Sequence, residues 1–280
     1  MIPLLKAAFL GIVQGLTEFL PISSSGHLIL VRDLLGWEML ADAHLNKVFD
    51  VSLHAGTFFA LVAYFWHDIV RLVSAFAVSL VRGIRGDADR RIAWLIVVGT
   101  IPGALAGVLL ENLIENTLGT PMLVAAQLIV FALILYAADR WSRRARDIRQ
   151  AGWADGILVG IAQALALAPG VSRSGITITT GLALGMKREA AARFSFLLSI
   201  PIVGGTALYS FARLVGAHGS APLPPGAAGM FLVGMLTAAA SGYLCIKYFL
   251  GYLQRGSLSP FVIYRICFGL LLLGYYGLVR

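Results

Sequence analysis

Long apolar runs alternate with short charged stretches along this chain, and the runs are of two kinds. Six read as unbroken spans: Val51–Trp66 (extended at its start by 47–50), Ile92–Leu110, Leu118–Ala138, Phe194–Ala212, Ala227–Ile246 and Ser257–Val279. Each approaches the roughly 20 apolar residues that a helix needs to cross a bilayer. Two further regions, 1–46 and 150–186, are apolar but interrupted by clusters of Pro, Gly and Ser. Broken backbone of that kind is tolerated at membrane depth only where it is buried in protein or lines a wet cavity. Between the first span and the first basic loop, Ile69–Leu80 reads as a short interfacial helix.

Loop charge gives these spans a direction. Arg82, Arg85, Arg90 and Arg91 form one basic loop and Arg140, Arg143, Arg144, Arg146 and Arg149 a second. Lys187, Arg188 and Arg193 form a third, and Lys247 with Arg255 a weaker fourth, whereas 111–120 and 214–226 contain no Lys or Arg. The positive-inside rule makes the four basic loops cytoplasmic and the two bare connections external. Residues 150–186 then leave from and return to the cytoplasmic side, as a re-entrant helical hairpin does. Residues 1–46 would be the matching hairpin from outside.

An internal repeat supports the pairing. At an offset of 149, Gly11, Ile12, Gln14, Leu16, Ser23, Ser25, Gly26 and Ile29 match Gly160, Ile161, Gln163, Leu165, Ser172, Ser174, Gly175 and Ile178. Gly56-Thr57 matches Gly205-Thr206 at the same offset. With one hairpin and three spans per half, the second half is inverted relative to the first. The expected fold is all-α and polytopic, with six transmembrane helices and two re-entrant hairpins in an inverted-topology repeat. It forms one integral membrane domain, 1–280, with repeats of approximately 1–149 and 150–280. Broken helices at matching positions of inverted halves place a site near the bilayer midplane.

Composition agrees. The chain is 59% hydrophobic and only 13% charged, against about one quarter charged in soluble domains. The net charge of +8 sits mostly in the short loops, so it argues for orientation in a membrane and not for a nucleic-acid partner. Cys245 and Cys267 both lie in apolar runs and read as small core residues.

The chemistry concentrates in the two broken regions. In the first, Gln14 and Glu18 are four residues apart and share one helix face. Together they suit a divalent cation, which prefers oxygen ligands. Glu18 also suits a general base, or simply a partner for Arg173. Pro21 should end that helix, with Ser23, Ser24, Ser25 and Gly26 as the turn. His27 closes the serine loop, placed to give a proton to a leaving group or to activate Ser24. His54, in the next span, reads as a core histidine before it reads as a supporting one. In the second region Arg173 is the only charge between Asp155 and Lys187. Its planar fork suits phosphate oxygens, and the Gly and Ser residues around it can supply a nest of donors. Arg265 and Asp155 stand out as supports without a defined role.

These residues carry a resemblance. Gln14-x-x-x-Glu18 followed by Pro21-Ile22-Ser23-Ser24-Ser25-Gly26-His27, with Pro169-Gly170-Val171-Ser172-Arg173-Ser174-Gly175, resembles the bacterial undecaprenyl-diphosphate phosphatases, once called bacitracin-resistance proteins. The similarity runs nearly the whole chain and includes Trp153-Ala154-Asp155-Gly156. It implies hydrolysis of undecaprenyl diphosphate to the monophosphate, which recycles the lipid carrier of cell-wall synthesis. It also implies a divalent cation (Mg²⁺ or Ca²⁺), a homodimer, and a multi-pass place in the bacterial inner membrane with the active site facing outward. Carried over residue by residue, the catalytic set falls on Glu18, Ser24, His27 and Arg173. The substrate-binding set falls on Arg173, Ser172, Ser174, Thr177, Ser23, Ser25 and Gly26, and the metal set on Glu18 and Gln14. With Gln rather than Glu at position 14, the substrate diphosphate must supply much of the metal coordination. From the residues alone, a secondary transporter or flippase of an anionic lipid or substrate remains the rival, since inverted repeats with broken helices characterise carriers.

Overall fold

A computed structural model describes residues 2–37, 43–218 and 225–279. Its described helices are α1 (Ile2–Phe19), α2 (Ser24–Leu35), α3 (Ala43–Tyr64), α4 (Trp66–Arg82), α5 (Ala88–Leu118) and α6 (Pro121–Trp141). They continue as α7 (Trp153–Leu165), α8 (Arg173–Ala183), α9 (Arg188–His218), α10 (Ala227–Leu253) and α11 (Ser259–Val279). Five of them, α5, α6, α9, α10 and α11, contain stretches long and apolar enough to cross a bilayer; α3 and α4 together make a sixth if a bent pair counts as one. Leu109, Leu133, Tyr248, Ile263 and Leu271 lie on the outside, while Gln14, Glu18, Asp155 and Arg265 are buried. Apolar outside and polar inside is the arrangement that lipid imposes. The chain is an all-helical polytopic membrane protein.

Several boundaries differ from those read by hydropathy. The helix expected over 92–110 runs from Ala88 to Leu118, so the connection expected over 111–120 shrinks to Gly119 and Thr120. Polar residues lowered the hydropathy there, but nothing breaks the helix until Gly119, and Pro121 then opens α6. Asp87 caps the other end of α5, accepting from the backbone N–H of Asp89 and Arg90 (2.8 and 3.2 Å). These bonds, that of Arg90 foremost, hold its carboxyl below the usual carboxylate range. The first span ends at Tyr64, and α4 turns away from α3 by 78°. With Val73, Leu80 and Val81 exposed beside Arg71 and Arg82, α4 has the amphipathic character of an interfacial helix. The expected connection 214–226 falls partly outside the described residues. Cys245 is buried as expected, but Cys267 is exposed on α11.

Small residues let the broken helices sit close to their neighbours. α1 lies on α10 where Gly11 and Gly15 face Gly234, Ala238 and Gly242. In the same way α7 lies on α5 with Gly156 and Gly160 against Leu95 and Gly99. A Cβ at Gly160 would lie 2.5 Å from the Gly99 carbonyl oxygen, so the close backbone approach depends on glycine. At the arginine-rich end, Arg146 grips the Asp155 carboxylate with both Nη atoms (3.0 and 2.7 Å) and donates to the carbonyls of Leu184 and Gln150. This defines the support role of Asp155: it fixes the start of α7 to the segment that precedes it. Arg188 on Asp139 (2.6 Å) does the same between α9 and α6.

Candidate active site

Each broken region turns on a serine with unusual backbone. α1 stops at Phe19, two residues ahead of Pro21, and Ser23 adopts φ 75° before α2 begins. α7 stops at Leu165, and Ser172 adopts φ 73° before α8 begins. A non-glycine residue at such φ costs about 1–3 kcal/mol and persists only where its surroundings fix it. Both serines are fixed as helix caps, accepting from the backbone N–H of Gly26 (3.4 Å) and Gly175 (3.1 Å). The serine stretch is therefore not the turn that the sequence suggested. Leu20–Ile22 make the turn, and Ser24, Ser25 and Gly26 form the first turn of α2. The residue after each strained cap is Ser24 in one region and Arg173 in the other.

The two breaks are bolted together. Gly170 N–H donates to Ser23 Oγ (3.1 Å), and Ser174 Oγ donates to the Leu20 carbonyl (2.9 Å). Arg265, fully buried on α11, reaches across both. Its Nη1 donates to the Pro21 carbonyl (3.0 Å), its Nη2 to those of Gly170 and Val171 (2.8 and 3.1 Å), and its Nε to Leu128 (3.1 Å). A buried guanidinium served by carbonyls alone locks loop geometry, because each N–H has a fixed direction.

Glu18 is the point where the two regions meet. Arg173 Nη2 donates to its Oε1 at 2.7 Å. Ser24 Oγ donates to its Oε2 at 2.6 Å, and Gln14 Nε2 to the same oxygen at 3.0 Å. His54 Nε2 stands 4.0 Å from Oε2, with its Nδ1–H donating to the Asp50 carbonyl (2.8 Å). Arg173 opens α8, so the helix dipole adds positive field where its guanidinium sits. Glu18, Ser24, His54 and Arg173 border a cavity of about 220 Å³, shared with Gln163 of α7 and Thr206 of α9. That is below the ~300–1,000 Å³ of pockets that enclose a drug-sized ligand, and suits a small charged headgroup.

The other sequence-predicted residues divide. Ser23, Ser25 and Ser172 also border the cavity. Ser174 and Gly26 pack behind it, and Thr177 Oγ1 donates to the Arg173 carbonyl (2.7 Å) beside Ser195 (2.6 Å), bracing the first turn of α8. His27 does not border the cavity. A carbonyl only accepts, so the Nδ1 of His27 carries a proton to the Ser23 carbonyl (2.7 Å), and its Nε2 accepts from the Tyr264 hydroxyl (2.6 Å). The ring stacks on Tyr264 and Phe268 of α11. Residues that sequence reasoning underrated are His54, Gln163, Arg265 and Tyr264. Gln163 had a signal as the repeat mate of Gln14, and Arg265 as a lone charge in the last apolar run.

Among the described residues no three His, Cys, Asp or Glu groups cluster as a ready metal site. What fits a hard cation is narrower: the Glu18 carboxylate, and the Gln14 Oε1, which is buried and has no hydrogen-bond partner.

The family profile described as "Bacitracin resistance protein BacA" matches residues 7–271. A protein named undecaprenyl-diphosphatase from Geotalea daltonii is 47% identical over 96% of this chain and 97% of its own length. Another of that name from Moorella thermoacetica is 47% identical over 99% of both chains, and one from Desulforudis audaxviator is 44% identical over 93% of both. Matches of that extent and identity show the family, and the chain belongs to the bacitracin resistance protein BacA family.

Proposed function

We propose that this protein is an undecaprenyl-diphosphate phosphatase, releasing inorganic phosphate and returning the lipid monophosphate to peptidoglycan synthesis, with bacitracin resistance as a consequence. The observation that carries the chemistry is the shared carboxylate: one Glu18 oxygen receives the Ser24 hydroxyl and the other the Arg173 guanidinium. In this reading the diphosphate takes Arg173 away from Glu18, its oxygens matching the guanidinium fork. Glu18, freed on that side, takes the Ser24 proton as Ser24 Oγ bonds to the terminal phosphorus. The bridging P–O bond breaks, and the lipid leaves as its monophosphate. The departing monophosphate oxygen takes that proton, which leaves Glu18 a carboxylate again. Water then gives Glu18 a proton as its oxygen bonds to phosphorus. The P–O bond to Ser24 breaks, Ser24 Oγ takes the proton back from Glu18, and inorganic phosphate leaves. Phosphoryl transfer relies mainly on positioning and charge stabilisation, which the α8 N-terminus and Arg173 supply. The cavity takes the headgroup and leaves the apolar tail in lipid.

A divalent cation, Mg²⁺ or Ca²⁺, belongs to the same proposal. Glu18 and the Gln14 Oε1 would hold it together with diphosphate oxygens, and when bound it neutralises phosphate charge. The fold proposal is six spans and two re-entrant hairpins, with inverted halves near 1–149 and 150–280. Its support is the paired Ser23 and Ser172 caps and the matching glycine contacts of α1 on α10 and α7 on α5. An outward-facing site is supported by depth: Gly103 lies about four turns past the arginine-rich start of α5, and Thr206 about five turns past that of α9. A homodimer in the bacterial plasma membrane completes the proposal, and native mass spectrometry of the purified protein tests the stoichiometry.

The decisive test is phosphate release from undecaprenyl diphosphate by purified protein with Mg²⁺ or Ca²⁺. Glu18→Gln and Arg173→Ala should each lower kcat/KM by about 10²–10³-fold, as for loss of a preorganised charge-stabilising group. Absence of release from the wild type sinks the reading. Phosphate trapped on Ser24 by rapid acid quench supports the serine route, whereas undiminished turnover in Ser24→Ala assigns the attack to water.

A further inference from the structure

Gln163 borders the cavity and takes no part in the reaction above. It sits on α7, 4% exposed, and among the described residues neither its Nε2 nor its Oε1 has a hydrogen-bond partner. Buried amides are almost always paired, so one with both ends open calls for an explanation. Its repeat mate makes the contrast plain: Gln14 Nε2 is spent on Glu18, whereas Gln163 is turned to the cavity with nothing on it. The surrounding helix makes room for it. A Cβ at Gly103 of α5 would lie 3.1, 3.4 and 3.6 Å from the Nε2, Cγ and Cδ of Gln163, and those are its three nearest atoms. Glycine at 103 thus clears the space that the amide occupies, one residue after Pro102, which lies inside α5.

We infer that Gln163 is a binding residue for the phosphoanhydride headgroup, resting on the phosphatase reading for the identity of that headgroup. Its Nε2–H₂ donates to a non-bridging phosphate oxygen, and its Oε1 accepts from a water or a protonated phosphate oxygen. Arg173 supplies charge and direction from α8; Gln163 supplies a neutral donor from α7, so that the headgroup is held from two helices. An amide adds no positive charge that would compete for Glu18.

The experiment separates binding from structure, because the two roles move stability in opposite directions. Replacing an unsatisfied buried amide by an apolar group of similar shape is neutral or stabilising, and removing a structural hydrogen bond is not. Gln163→Leu and Gly103→Ala are purified beside wild type. Thermal unfolding is measured with and without inorganic pyrophosphate, and steady-state phosphate release is measured on the lipid substrate. The expected result for Gln163→Leu is an unfolding temperature equal to or above wild type, loss of the pyrophosphate-induced shift, and a KM raised at least tenfold with kcat within about threefold, the pattern of lost binding. Gly103→Ala, which crowds the amide without removing it, should raise KM in the same direction. Wild-type KM and an intact pyrophosphate shift in Gln163→Leu overturn the inference, as does a lowered unfolding temperature with KM unchanged in Gly103→Ala. If wild type binds pyrophosphate but releases no phosphate from the lipid, the phosphatase reading fails while the Gln163 site is still judged by the pyrophosphate shift.

Discussion

Two histidines lie near Glu18 in different senses, and only one of them faces it. His27 is nine residues along the chain yet bonded to the Ser23 carbonyl and the Tyr264 hydroxyl, with its ring stacked on α11. This geometry makes it a positioning residue that holds the start of α2, and with it Ser24, against α11. Tyr264→Phe should then lower kcat in the same direction as His27→Ala, and the double variant should lose less than the product of the two. A coupling energy of about 0.5–3 kcal/mol is typical of residues in direct contact. Wild-type turnover in Tyr264→Phe beside a dead His27→Ala would instead put the imidazole on the substrate. His54 was the reverse case: it reads as core in the sequence, yet its Nε2 stands 4.0 Å from Glu18. Polar residues too costly to be incidental singled out Glu18, Ser24 and Arg173 in the sequence, and the structure brings those three side chains together. The sequence did not show direction, which depends on where α2 begins, and the serine run hid that start inside what read as a turn.

At the scale of elements, the site exists because four segments are tied at their breaks rather than along their lengths. Arg265 carries that tie, joining the turn after α1, the turn after α7 and the Leu128 carbonyl of α6. Its four acceptors have no water to turn to in a buried site. Arg265→Met should therefore destabilise by about 3 kcal/mol or more, from several carbonyls each losing its partner at roughly 1–3 kcal/mol. Arg265→Lys, keeping the charge but not the fork, should fall between. Thermal unfolding in detergent measures both, and a wild-type unfolding temperature in Arg265→Met would show that the breaks hold without it. A lone arginine in the last apolar run was visible as an anomaly in the sequence, but its partners are backbone carbonyls up to 244 positions away, and carbonyls leave no mark in a sequence. The glycine contacts were legible in part: Gly11 and Gly160 stood out as repeat mates, while their opposing residues on α10 and α5 did not.

For the whole molecule, the inverted arrangement and the outward-facing site are one claim, because both follow from the side on which each helix end lies. Hydropathy located the five long apolar helices, and loop charge predicts their order. Neither could find the length of α5, whose last two turns are polar enough to read as loop. The arginine-rich ends are tied to one another by Arg146 on Asp155, Arg188 on Asp139 and Arg193 on Asp68, and the positive-inside rule assigns that face to the cytoplasm. In a Cys245→Ala, Cys267→Ser background, single cysteines at exposed Thr120, Arg144 and Arg255 test this directly. A membrane-impermeant maleimide applied to intact cells should label Thr120→Cys and leave Arg144→Cys and Arg255→Cys unlabelled until the membrane is permeabilised. Protection at Arg144 and Arg255 together requires that α6 and α11 have opposite senses, one ending and the other beginning on the same face, as inverted halves demand. Labelling of Arg144→Cys without permeabilisation would turn the molecule over and place the Glu18 cavity toward the cytoplasm, where a carrier recycled on the outer face could not deliver its diphosphate.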